Sequence, residues 1–469
     1  MDKKFLLCLI LLSQNLVLPN STYDYTNYQA TSSNANLSGQ TLSSSTSDHS
    51  VVYITQSGIT IANSELNKQS GDSSDTETSE FYGVNAAVLV NGGGLTMTGG
   101  KITTAAKGAN SLCATNGGKI TITGTEIIST GSSSARGLHA TYGGEITATN
   151  VKISSTGGSC ANLATDRGEG TVKCTGCTLS TTGSGSPLIY STGIITVSGT
   201  TGTSTGAQAV VVEGKNSASV LDSSNLNCHG LPNRNNADIC GVMLYQSMSG
   251  DADSGTSTFT CQTSTISIDS SSTVYSTAPM FFITNTDAVI NVEDCTLTYG
   301  SSIFLKAAGT SEWGTSGSNG GVVTLNLKNQ NVKGNFVVDA SSGLTINLEN
   351  SFIEGIINGD KTGAKVEIVL DANSKITLKG NSYYTSLTNA DSEGNNIIKG
   401  DYEFTQYDEQ SISRPSGGQP GGQPGGQPGG QPPNRPGEDD DEDDDEEDGS
   451  MKLSFSLLIN LCLILSIIL

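Results

Sequence analysis

The chain has 469 residues, 57 of them Gly, with 5% aromatic and 14% charged residues and a formal net charge of −22. A globular domain usually carries nearer 25% charge, and strong helix formers are scarce here, which argues against a helical architecture. The acidic balance and the lack of a basic face argue against nucleic acid as a partner.

Residues 1–21 read as a secretory signal. Lys3 and Lys4 precede an apolar run, Phe5 to Leu12, that is too short to span a bilayer. Two glycosylation sequons follow, at Asn20 and Asn36, and none falls in the repeats beyond. Residues 22–49 are polar, contain Tyr23, Tyr25 and Tyr28, and are expected to form an N-terminal arm or cap.

From about residue 50 a repeat begins. It is clearest at Gly93-Gly-Leu-Thr-Met-Thr-Gly99, Gly117-Gly-Lys-Ile-Thr-Ile-Thr-Gly124, Gly143-Gly-Glu-Ile-Thr-Ala-Thr-Asn150 and Glu169-Gly-Thr-Val-Lys-Cys-Thr-Gly176, which start 24, 26 and 26 residues apart. A period of 20 to 30 residues marks a solenoid, whose single repeat cannot bury its own apolar face. Within a unit the residues alternate: Ile120 and Ile122 point one way and Thr121 and Thr123 the other, which is the period of a strand. Each unit has a second alternating run (Glu126 to Thr130, Lys152 to Thr156) and a third (Gly137 to Thr141, Asn162 to Thr165). Three short strands per turn predict an all-β fold, a right-handed parallel β-helix of roughly twelve rungs over residues 50–410, about 60 Å long at ~4.8 Å per rung. The Asp/Glu/Ser-rich stretch Gly71 to Glu80 reads as a loop, residues around 222–256 and 306–320 as insertions at turns, and 375–410 as a closing cap.

Beyond the repeats the composition changes. Residues 411–437 contain four Gly-Gly-Gln-Pro copies and form a linker that does not pack. Residues 438–450 begin with eleven consecutive acidic residues, half of the net charge, and read as an extended stalk. Residues 451–469 are a hydrophobic tail, uncharged from Leu453 to the end. Gly449 and Ser450 ahead of that tail suggest a glycosylphosphatidylinositol attachment signal, although only Met451 and Lys452 separate them from it; a single-pass membrane helix is the rival. Either anchor places the protein on the outer face of the plasma membrane.

Eight cysteines lie between the end signals, an even number in an exported chain. Cys228 and Cys240 flank a polar insertion and are expected to close it with a disulfide. Cys174-x-x-Cys177 lacks the second Cys pair or His pair of a zinc site; Cys174 falls in the inward column of Ile122, so a buried thiol or a structural disulfide is expected.

In period and strand pattern, residues 50–400 resemble the pectin-lyase-like right-handed β-helix superfamily, which holds polysaccharide lyases and galacturonases beside many non-catalytic surface proteins. The resemblance implies the fold. It does not carry over the activity: Asn285-Thr286-Asp287 matches the first galacturonase motif by letters, but the only His-Gly, at His229, precedes it, and no paired Asp or Arg-x-Lys follows before residue 400. Arg136, Arg167, Arg234 and Arg414 stand near no acidic cluster in sequence that would hold a lyase's calcium. No enzyme is expected.

Binding is the better expectation. Trp313, the only Trp, sits in a Gly/Ser-rich insertion where its face can stack on a sugar or fold back onto the coil. Asp251-x-Asp253-x-Gly255 has a calcium-like start but lacks the twelfth-position ligand, so a turn is the first reading; no cofactor is expected beyond that calcium possibility. The outward Thr pairs 96/98, 121/123 and 147/149 form a flat ladder that degrades at Lys173/Thr175. The sequence therefore predicts a membrane-tethered surface protein that recognises extracellular glycan or a host or neighbouring surface. A passive coat and, behind it, a polysaccharide lyase or hydrolase are the alternatives.

Overall fold

The computed structural model describes residues 23–25, 29–232, 238–247 and 249–412. The expected signal with Asn20, nearly all of the linker, the acidic stalk, and the tail with Gly449 and Ser450 lie outside the described residues.

The alternation of small apolar and hydroxyl residues folds as strands, and the strands of successive repeats stack in parallel. The first runs of the repeats form a sheet of fourteen strands, from Leu37–Ser38 to Ser386–Asn389. The second runs form a ten-stranded sheet, followed by a four-stranded one that starts at Asn331–Lys333, and the third runs form a twelve-stranded sheet. The result is a parallel β-helix whose core is a set of inward columns. Leu95, Ile120, Ile146, Val172, Ile195, Ala218, Phe259 and Ile290 follow one another in register, all at 3% exposure or less. Each such side chain loses its water only because the rungs above and below cover it, at ~25 cal/mol per Å² of apolar surface. Small Ala218 beneath large Phe259 shows how volume is balanced along a column. Where the rungs grow, a chain of rings fills the interior: Phe259, Phe281, Phe304 and Phe336 have successive centroid distances of 5.8, 5.3 and 5.4 Å.

The corner between first and second runs explains the Gly or Asn that ends each repeat. Gly99, Gly124, Asn150 and Gly176 have φ between 53° and 65°, and each donates its N–H to the rung above at 2.8–3.0 Å. A left-handed corner of this kind favours Gly and Asn. The next residue turns inward. Thr200, Ser224 and Ser351 are buried there, each with its hydroxyl bonded to a carbonyl, and Thr200 N–H also donates to Ser224 Oγ at 3.1 Å.

Three expectations are corrected. The coil starts at Ala30, not 50, because residues 30–44, expected as an arm or cap, pair as a full rung with the strands that follow. Fourteen strands in the first sheet also exceed the roughly twelve rungs expected, because Leu37–Ser38 and Ser386–Asn389 add one at each end of the stack. Part of the Gly71 to Glu80 loop is a helix, α1 (Thr76–Tyr82). Asp75 caps it, accepting Glu77 N–H at 2.9 Å, and Gly83 at φ 73° ends it.

Candidate functional site

The longest regular surface is the outer face of the first sheet. Its central outward column reads Thr60, Thr96, Thr121, Thr147, Lys173, Thr196, Ser219, Thr260, Asn291, Asn326 and Asn347. The ladder that the sequence loses after Lys173 resumes at Thr196 and changes to amides. Asn326 Nδ2 donates to Asn291 Oδ1 and Asn347 Nδ2 to Asn326 Oδ1, both at 2.8 Å. Apart from Lys173, hydroxyls and amides thus recur every ~4.8 Å along the coil, with outward columns ~7 Å apart along each strand.

The outer face of the third sheet is different: it is covered. Leu89, Cys113, His139 and Ala164 point outward in four successive rungs and, after Tyr190 and Val211, Met243 and Phe282 do so in two more, yet these six are all at 2% exposure or less. Four pieces roof them. Tyr25 stacks on Tyr53 at 5.8 Å; α1 buries Ser79 and Phe81; the 249–255 loop folds back; and Trp313 covers Val211, Met243 and Phe282.

Under this roof lies a cluster of charges. Arg136 is 6% exposed; its Nη2 lies 3.1 Å from Asp166 Oδ2 and 3.3 Å from Glu80 Oε1 of α1. Arg167 bonds Asp251 at 3.0 Å and lies over the Phe81 ring at 3.7 Å. Burial pushes Asp166 up to about 7; the Arg136 charge pulls it down, while Glu80 and Asp251 add to the rise. His139 is wholly buried and lies well below the usual imidazole range, through burial first and then the Arg136 charge; neither ring nitrogen has a hydrogen-bond partner among the described residues. Beyond them, buried Glu213 accepts from Tyr190 Oη at 2.6 Å, from Tyr245 Oη at 2.7 Å, and from the Ser247 hydroxyl. Arg136, with both neighbouring carboxylates on one Nη, acts as a clamp between α1 and the coil.

No family model, no curated protein and no solved structure matches the chain.

The site residues expected from sequence are dispersed. Trp313 is 6% exposed and packs edge-on against Tyr245 at 5.1 Å, so its face is spent on the roof and not offered to a ligand. Asp251 and Asp253 pair with Arg167 and Lys215, at 3.0 and 2.9 Å, and no group of three or more metal-ligating side chains occurs among the described residues. Cys228 and Cys240 are buried and unlinked; the disulfide joins Cys261 and Cys295 instead. The reason is topological: Cys228 belongs to the inner core while Cys240 lies with Trp313 in the roof cluster. Cys174 and Cys177 are likewise free and buried. Asn285 of the galacturonase-like triplet sits at φ 55° in a turn and donates to Gln246 O, while Asp287 opens a strand. Asn36 is exposed, and its Oδ1 accepts Thr60 N–H at 2.8 Å. The described residues contain no helix long and apolar enough to cross a membrane.

The Arg136 cluster was missed because its partners are remote: Glu80 is 56 residues away, and Asp251 is 84 from Arg167. The scarcity of Arg was the one available signal.

Proposed function

We propose that this chain is a non-catalytic surface protein whose coil recognises extracellular glycan or another surface through the outer face of the first sheet. One observation supports this reading above the others: the column of hydroxyls and amides from Thr60 to Asn347, interrupted only by Lys173. A flat, periodic, polar face suits a repeating polymer or an extended surface, which a small concave site does not. The signal-like start and the acidic stalk before a hydrophobic tail support display outside the cell on a lipid or membrane anchor. The strand pattern supports a place among the non-catalytic members of the pectin-lyase-like superfamily.

A passive coat is the second reading. It is favoured by the second sheet, whose outer charges satisfy one another: Lys101 pairs with Glu126 at 3.1 Å, and Glu126 with Lys152 at 3.9 Å.

The test is retention of the full-length protein, in detergent micelles, on plant, fungal, bacterial and animal polysaccharides, with released fragments read from the same samples. Thr121→Lys with Asn326→Lys on the outward column is expected to reduce retention at least ~10-fold, since two long cations break the flat array. Retention unchanged by the pair would remove the face from the reading. Fragment release would remove the non-catalytic assignment, and no retention on any polymer would leave the coat.

A further inference from the structure

The roof over the third sheet stops at the C-terminal end of the coil, and there the outer face opens into a pocket of about 170 Å³. Its walls come from two neighbouring rungs. Asn335 and Val337 belong to the last strand of the third sheet (Asn335–Val338), and Ile356, Asn358, Asp360 and Thr362 belong to the turn above it. The turn diverges because only Phe336 and Ile357 keep the ladder pairing; after Ile357 the chain swings out through Asn358 and Lys361, both at positive φ (49° and 58°).

The polar groups around this pocket divide into those already committed and those not. Asn358 is committed: its Oδ1 accepts Gly363 N–H and its Nδ2 donates to Tyr407 Oη, each at 3.0 Å, which fixes one wall. Asn335 Oδ1 accepts Ile356 N–H at 3.0 Å, leaving Nδ2 as a donor with no partner among the described residues. Thr362 Oγ1 donates to Val338 O at 2.8 Å and keeps its acceptor lone pairs. Asp360 has neither a hydrogen bond nor an ion pair among the described residues. Lys361, next in sequence, does not neutralise it, because its ammonium lies over the Tyr383 and Tyr407 rings at 5.4 and 5.9 Å. Val337 and Ile356, both half-buried, supply the apolar part.

We propose that this pocket binds a single pyranose ring, the end unit of a glycan chain. The volume holds roughly six waters and falls below the ~300 Å³ at which drug-sized pockets begin, so it suits one ring and not a longer segment. A sugar presents an apolar C–H face and a rim of hydroxyls that both donate and accept. The pocket answers with Val337 and Ile356 for that face, the Asp360 carboxylate and Thr362 Oγ1 as acceptors, and Asn335 Nδ2 as donor. A carboxylate accepting two neighbouring hydroxyls discriminates against a ring that lacks one, because it is left unpaired. This inference rests on the glycan reading above and gives it a second, separate point of contact.

The experiment is saturation-transfer NMR on the full-length protein in detergent micelles. Methyl glycosides of glucose, galactose, mannose, xylose, N-acetylglucosamine and glucuronic acid are each titrated to saturation. At least one is expected to saturate in the millimolar range and to weaken at least ~10-fold in Asp360→Ala, a change on an exposed turn that leaves the melting temperature in place. Thr362→Val is expected to weaken it less. If no glycoside saturates, or if Asp360→Ala binds as the wild type does, the pocket assignment is overturned. The two readings fail separately: polymer retention without glycoside binding would sink the pocket alone, and glycoside binding without polymer retention would sink the flat face alone.

Discussion

At Arg136, one buried guanidinium holds Asp166 out of water at 3.1 Å and reaches the partly exposed Glu80 at 3.3 Å. Removing one partner of a buried pair costs more than the pair itself contributes, since the other charge stays buried. Arg136→Ala is therefore expected to lower stability by about 3–5 kcal/mol, read as a shift in the denaturant midpoint. Asp166 adds a pH dependence. Burial raises it from the ordinary 3.8 to about 7 in the folded chain, so between those values the native state binds more protons than the unfolded one. Stability then falls as pH rises from about 4 to 7, by an amount of order 4 kcal/mol. Melting temperatures taken across that range should fall with rising pH in the wild type and flatten in Asp166→Asn; an equal slope in both would move the effect elsewhere. Trp313 belongs to the same scale. Buried against Tyr245, it is expected to cost about 3–5 kcal/mol when changed to Ala and to affect glycan retention only as far as folding is lost.

Among the elements, the disulfide ties two rungs. Cys261 sits on an inward position of one first-run strand (Thr256–Gln262), and Cys295 at the corner after the next (Asp287–Glu293). The bond spans 34 residues, and closing such a loop in the unfolded chain is worth roughly 3–4 kcal/mol in the chain-entropy account. Peptide mapping without reduction should recover Cys261–Cys295 and no Cys228–Cys240 link. Cys261→Ser should lower the melting temperature accordingly, and a recovered Cys228–Cys240 link would refute the assignment. α1 shows how an element can be hidden in the sequence. Its seven residues, Thr76–Tyr82, carry no readable helical period, and tertiary partners hold it: Asn110 Nδ2 donates to Ser79 O at 3.0 Å, and Arg136 bonds Glu80.

For the molecule as a whole, a parallel coil has two open ends, each a row of unpaired backbone groups with apolar columns behind it. At the C-terminal end, Ser386–Asn389 pairs on Lys365–Leu370 and Ile397–Ile398 on Lys375–Leu378, while Tyr384 and Phe404 pack their rings at 4.5 Å. A chain ending at residue 380 uncovers Ile368 and Ile376, which are wholly buried in the longer one. Size-exclusion chromatography is expected to show concentration-dependent association for residues 1–380 and none of it for 1–412. Equal behaviour of the two would deny those last strands a capping role.

The sequence by itself determined the coil. The alternation around Ile120 and Ile122, and the Gly or Asn at 99, 124, 150 and 176, are local rules of strand and corner, repeated often enough to be read without contacts. The rungs after residue 190 were legible from the same alternation, although the first rung at Ala30–Ser44, too polar to announce itself, was not. Only the tertiary structure decided the surfaces. Whether Trp313 faces water, which cysteine lies within reach of another, and that Arg136, Asp166, Glu80 and Asp251 meet are matters of how insertions fold back over a finished sheet. The pocket beside Asp360 is of the same kind: its two walls come from different rungs, Asn335–Val338 and the turn at 356–362, and no local pattern joins them. A solenoid repeats its core in sequence because every rung must solve one packing problem, whereas the loops that roof and open it are each solved once.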